Sequence, residues 1–376
     1  YDSSANELTT DSIQIASDWF ATTLKGRLAQ GPNGQELLIE GPARLKMDEV
    51  ATRLTSLLGF PIRAEGVHET PLLIRAGPAQ VGQSLSASTQ LAVQASVGWE
   101  AAEVGGVPLG RATVPVRLTE TTVEISPSRI PVGQGFVNLA GQVHHRPGPI
   151  WIQLDRGVVA ESVRLTPAMT SRWLKYLAPL AAEATQVDGI LGAELDEAVI
   201  VFDRPEQSRV VGRLNIGSVQ LNAGPLADQV LSGIQQLKSL SGGLNAPVAN
   251  NAGKTLIRMP AQTVDFAVHQ GVVSHDRLFF EIDRAQVVTS GRVAFDGRLN
   301  MIAMVPLDAR WLGSDLKGLA GQTVTLPIDG TLARPSLDSS GVAQLVTQLG
   351  TQAVQSTAEN YLQQQLNRGL EKLFGR

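Results

Sequence analysis

The sequence predicts a β-rich α+β protein: strongly curved antiparallel sheets around a hydrophobic groove or core, capped by a few amphipathic helices that include a long one at the C-terminal end. Three observations predict it. Apolar residues recur with period two in segment after segment. The chain carries 37 Gly against only 5% aromatic residues, a composition of many strands joined by many turns. Helical periodicity is confined to four stretches, each entered from a short strand that ends in Leu.

The strands come first. "TVPVRL" (113–118) puts Val114, Val116 and Leu118 on one face, and "IWIQL" (150–154) does so with Ile150, Ile152 and Leu154. "TVDFAVH" groups Val264, Phe266 and Val268, and "LFFEI" groups Leu278, Phe280 and Ile282. "RLNMIAMV" sets Leu299, Met301, Ala303 and Val305 against Asn300, Ile302 and Met304. One apolar side per strand is the pattern of antiparallel sheets with one buried face.

The helices follow Leu45, Leu165, Leu221 and Leu337. After Leu45 the expected helix spans about 48–58, with Asp48 as its cap and Gly59 past its end. After Leu165 it spans 167–184, with Thr166 capping and Pro167 at the first helical position. After Leu221 it spans about 225–240, begun near Pro225 and stopped by Gly242 and Gly243. After Leu337, apolar residues from Val342 to Leu373 fall at helical spacing over about 340–374. In "LPIDGTLARPSLD" (326–338), Gly330 supplies a bend or bulge, Pro335 ends the ladder, and Asp338 or Ser339 caps that last helix.

The first two joints lie about as far apart as the last two, with β-rich sequence between the members of each pair. The chain therefore reads as two halves, 1–186 and 187–376, either a degenerate duplication or convergent meander grammar. "SGGLNAPVANNAGK" (241–254) is the best linker candidate.

Bulk properties exclude several classes. The 376 residues are 43% hydrophobic and 18% charged, enough apolar material for a large core. With 31 Lys plus Arg against 35 Asp plus Glu, and no clustering, nothing directs the chain to nucleic acid. The absence of Cys removes disulfides, thiolate metal sites and Cys nucleophiles together. No apolar run is long enough for a membrane span, and no signal peptide is visible.

A search for chemistry finds little. His144 and His145 are adjacent and would point to opposite faces of a strand; His269 and His275 flank "QGVVS", a candidate hairpin. No spacing suits zinc, no nucleophile elbow or phosphate loop is present, and the acidic run between Asp188 and Asp203 lacks calcium-loop spacing. What remains is apolar surface. Two sheets can close a dry core against each other, or one curved sheet can leave its inner face open as a trough. Periodicity is the same for both.

The stretches "TVDFAVHQGVVSHDRLFFEID", "VVTSGRVAFDGRLNMIAMVPL" and "LPIDGTLARPSLD", followed by an amphipathic helix, resemble the C-terminal region of AsmA-like envelope proteins. The likeness is clearest over about 262–376. It implies long, strongly curved β-sheets with a hydrophobic groove, anchored in the inner membrane of Gram-negative-type bacteria and reaching across the periplasm, and associated with moving phospholipid towards the outer membrane. It implies no catalysis and no cofactor. The partners expected are lipid acyl chains, and the membrane through a segment missing from this chain. The candidate groove wall is Val264, Phe266, Val268, Phe280, Ile282, Leu299, Met301 and Val305. The competing expectation is a scaffold module with those same residues in a closed core.

Overall fold

The computed structural model describes residues 7–31, 34–79, 91–182, 184, 186–222, 224–239, 256–282, 285–308 and 320–338. They form curved antiparallel sheets with few helices. The described residues group into two compact units, each discontinuous in sequence. The first draws on Tyr1–Trp173, Val187–Val219 and Ala261–Val273; the second on Leu174–Gln186, Gln220–Pro260 and Ser274–Arg376.

The first unit is a long meander. Antiparallel pairing passes in order through Glu7–Ala16, Phe20–Gly31, Gly34–Lys46, Val67–Ala79, Ala92–Trp99, Ala112–Thr119, Thr122–Val132 and Gly135–His144. The last strand pairs with both Trp151–Leu154 and Gly157–Arg164. Both of these pair with Ile190–Val201, and the ladder continues through Arg209–Ile216 to Gln262–His269. Register shifts interrupt it, for example between Ile125 and Ser128 and between Leu195 and Glu197. Such bulges add local twist and let a long sheet curl.

Beside this meander, Ile62–Glu65, Ala101–Val104 and Val107–Leu109 form a small separate sheet. The helix Met47–Leu58 packs on it through Met47 and Ala51, against Ala64, Val97 and Trp99. Its cap position is Lys46 rather than Asp48, and no side-chain cap bond forms there. Asp48 instead stands in the first turn, where its charge favours the helix N-terminus. Gly59 ends the helix in the left-handed region at φ 73°, as expected.

The Leu165 joint is capped as expected. Thr166 accepts a hydrogen bond from the Met169 backbone N–H at 3.3 Å. The helix expected over 167–184 is broken into an α turn (Pro167–Met169), a π turn (Thr170–Leu174), a second α turn (Lys175–Leu177) and a 3₁₀ turn (Pro179–Ala181). Pro179 cannot donate to Lys175, so a regular helix stops there.

In the second unit, Ala285–Ala294, Leu299–Pro306, Thr323–Thr331 and Arg334–Leu337 pair in sequence order, and Ile257 pairs with Ile282. The helix Pro225–Ser239 begins at the expected proline. It buries Leu226, Ala227, Val230 and Ile234, and Gln229 Nε2 donates to the Pro335 carbonyl at 3.0 Å. "LPIDGTLARPSLD" contains a hairpin, and its ladder runs on past Pro335 to Leu337 instead of ending at the proline. Gly330 faces Pro335 and Thr331 faces Arg334 across it. Gly330 has φ 83°, and a Cβ there would come within 2.5 Å of the Arg334 carbonyl oxygen. Pro335 is tolerated because its strand is short and, among the described residues, pairs on one side only. The expected helix over 340–374, the linker 241–254 and the Gly242–Gly243 stop lie outside the described residues.

Candidate functional site

The meander's registers align one side of the sheet. Ile39 pairs with Ile74, Ile74 with Val93, and Val93 with Leu118. Leu118 pairs with Val123, Val123 with Val143, Val143 with Ile152, and Ile152 with Ile200. Directly paired residues point the same way, so these eight aliphatic side chains form one unbroken row across eight strands. At the usual strand spacing it runs for about 34 Å along the sheet. A second row lies beside it: Ala95, Val116, Ile125, Gly141 and Leu154. Gly141 has φ 151°, and a Cβ there would meet the Gln153 carbonyl oxygen at 2.2 Å.

This face is buried at one end and open at the other. Along Ala112–Thr119, Val114 is 4% exposed, Val116 is half-buried and Leu118 is 38% exposed. Further along the meander, Ile130, Leu214 and Val264 are buried. In the long row every member except the exposed Leu118 is half-buried. Residues of a closed sandwich would be covered by the opposing layer. Here a continuous aliphatic strip keeps part of its surface in contact with solvent, the kind of feature that marks a binding surface.

The expected wall residues divide between the units. Val264, Phe266 and Val268 belong to the first, on the same apolar face: Val268 pairs with Val210, Phe266 with Gly212, and Val264 with Leu214. They follow the same gradient, Val264 at 1% exposure and the other two half-buried. Phe280, Ile282, Leu299, Met301 and Val305 belong to the second unit and are packed into its core at 0–5% exposure. The row from Ile39 to Ile200 went unnoticed in the sequence. Leu118 and Ile152 stood out only within their own strands, and the signal for the row lies in how registers bring its members into line.

Among the polar groups, His275 is 5% exposed, with Nε2 3.2 Å from Thr289 Oγ1 and its buried Nδ1 without a partner. Burial pushes its pKa down to about 4. His68 bonds Ser96 Oγ at 3.0 Å, and Ser96 Oγ lies 2.8 Å from Thr70 Oγ1. Partial burial lowers the His68 pKa as well. His144 stacks on Trp151 at 3.7 Å between ring centroids, and His145 Nε2 lies 3.3 Å from the Thr119 carbonyl oxygen. Among the described residues no group of three or more acidic or His side chains is placed to hold a metal ion. No helix among them is long and apolar enough to cross a membrane.

No family model, no curated protein and no solved structure matches this chain.

Proposed function

We propose that the first unit binds lipid acyl chains along its half-open aliphatic face, without catalysis or cofactor, as an AsmA-like protein of the bacterial envelope. The observation that carries the reading is the row from Ile39 through Leu118 to Ile200, eight aliphatic side chains in register and none of them fully covered. Each methylene moved from water to such a surface contributes about 0.8 kcal/mol, so a long acyl chain needs no specific polar contact. The resemblance over 262–376 supports the periplasm as the compartment, phospholipid as the cargo and an inner-membrane anchor outside this chain.

The test is to purify the protein, extract it with organic solvent and identify bound lipid by mass spectrometry. Acyl lipid is expected with the wild-type chain. Val143→Asp and Ile152→Asp should each lower the yield at least several-fold, because a carboxylate on the row must be desolvated by the chain. Gln142→Asp, one residue from Val143 but on the other side of the sheet, should not. Lipid-free protein that also fails to take up phospholipid from vesicles would reject the reading.

The second reading is an envelope scaffold with a filled core and no ligand. The closed packing of the second unit favours it, since Ala303, Val305, Leu326 and Ile328 are all 0% exposed. It is the reading left standing by the lipid-free outcome.

A further inference from the structure

We propose that the opposite side of the same strands carries a second site, which takes a small organic oxyanion with an apolar substituent, such as an alkyl phosphate monoester. Side chains alternate along a strand, so the neighbours of the aliphatic row point the other way. Arg27 pairs with Leu38, and Leu38 with Arg75. Arg117, two residues before Thr119 on its strand, returns to this side. Together with Glu36, these side chains line a cavity of about 700 Å³, well within the range of small-molecule sites.

The charge balance within the cavity is three guanidinium groups to one carboxylate. Two of the arginines already have an acidic partner each: Arg27 Nε lies 2.8 Å from Glu7, and Arg117 lies 3.8 Å from Glu124. Arg75 makes no ion pair among the described residues, although its strand lies two strands from each of the other two. Its planar fork is shaped for two parallel bonds to a phosphate or carboxylate. Leu38, Ala29 and Ala92 supply apolar surface in the same cavity. A bare inorganic anion would leave that surface wet, and a neutral amphiphile would leave Arg75 unanswered.

The experiment is calorimetric titration of the intact chain with hexyl phosphate, inorganic phosphate and hexanol. Hexyl phosphate should bind saturably and about tenfold or more tighter than either fragment, and more weakly as salt rises. Arg75→Ala should weaken it at least tenfold with the circular-dichroism spectrum unchanged. Ile152→Asp, on the aliphatic row facing away, should leave it as in wild type, which separates this site from the acyl face. Unaltered binding by Arg75→Ala overturns the proposal, as does a loss caused equally by Ile152→Asp. Inorganic phosphate binding as tightly as hexyl phosphate would overturn the amphiphile and leave a free-phosphate site. No saturable binding of any probe would remove the site altogether.

Discussion

Two strands with the same alternating pattern end in different surroundings. In the first unit, Val114, Val116 and Leu118 pass from 4% exposure through half-burial to 38%. In the second unit, Leu299, Met301, Ala303 and Val305 stay between 0% and 5%. Both strands present one apolar side, and both sit within antiparallel ladders. What differs is the cover. In the second unit that stripe is sealed, and the helix Pro225–Ser239 likewise buries Leu226, Val230 and Ile234. In the first unit the long row is left partly uncovered. Alternation therefore reports which way side chains point, and says nothing about what meets them.

The same contrast holds for two histidines, His275 and His68. His275 lies enclosed in the second unit with one unpartnered nitrogen, and its pKa falls to about 4. His68, in the first unit, is half-buried in a hydroxyl cluster, and its pKa shifts in the same direction for the same reason, desolvation. Less cover means a weaker penalty on the charged form.

The largest expected effect comes from truncating the closed core. Phe280→Ala should destabilise the protein by about 3–5 kcal/mol in urea denaturation, since it empties a site 2% exposed. Ile152→Ala on the half-open row should cost less than half as much. Equal losses would mean that the row is as closed as the core, and the distinction between the units would collapse.

Next is pH. The folded-state pKa of His275 lies below the unfolded value of 6.5, at about 4. The unfolded chain therefore binds the extra proton over that window, and stability present above pH 6.5 is lost as pH falls towards 4. The contribution of this group is about 3 kcal/mol across the window. Replacing His275 by Gln should flatten that part of the pH–stability curve relative to wild type. A curve of unchanged slope would show that His275 is not enclosed as described.

The smallest effect is at Gly141, in the row beside the long one. Gly141→Ala should cost about 1–3 kcal/mol, because φ 151° and a Cβ contact of 2.2 Å to the Gln153 oxygen leave no room for a side chain. The loss should appear in urea denaturation together with reduced lipid recovery. A neutral result would show that the two strands can move apart there without consequence.

Much of the local structure was legible. Thr166 and Pro167 announced a capped helical start, Pro225 marked another, and Gly59 marked a stop, because capping is decided by a few adjacent residues. Asp48 was misplaced by two positions, since an acidic residue suits both the cap and the first turn. The hairpin at Gly330 was hidden because Pro335 reads as a breaker until its pairing with Gly330 is known. Val264, Phe266 and Val268 were recognisable as an apolar side. Their company with Val210, and that of Ile152 with Ile200, depends on pairing between segments far apart in the chain.

The sequence by itself determined the strand-rich class, the direction in which each strand's apolar residues point, and the caps that start and stop the helices. These follow from alternation and from neighbours within a few residues. Only the tertiary structure decided that eight of those side chains line up in one row, that the row stays half-open, and that five of the expected wall residues are sealed in a core. Register and cover depend on which distant segments meet, and one residue of slip would have sent each side chain to the other face.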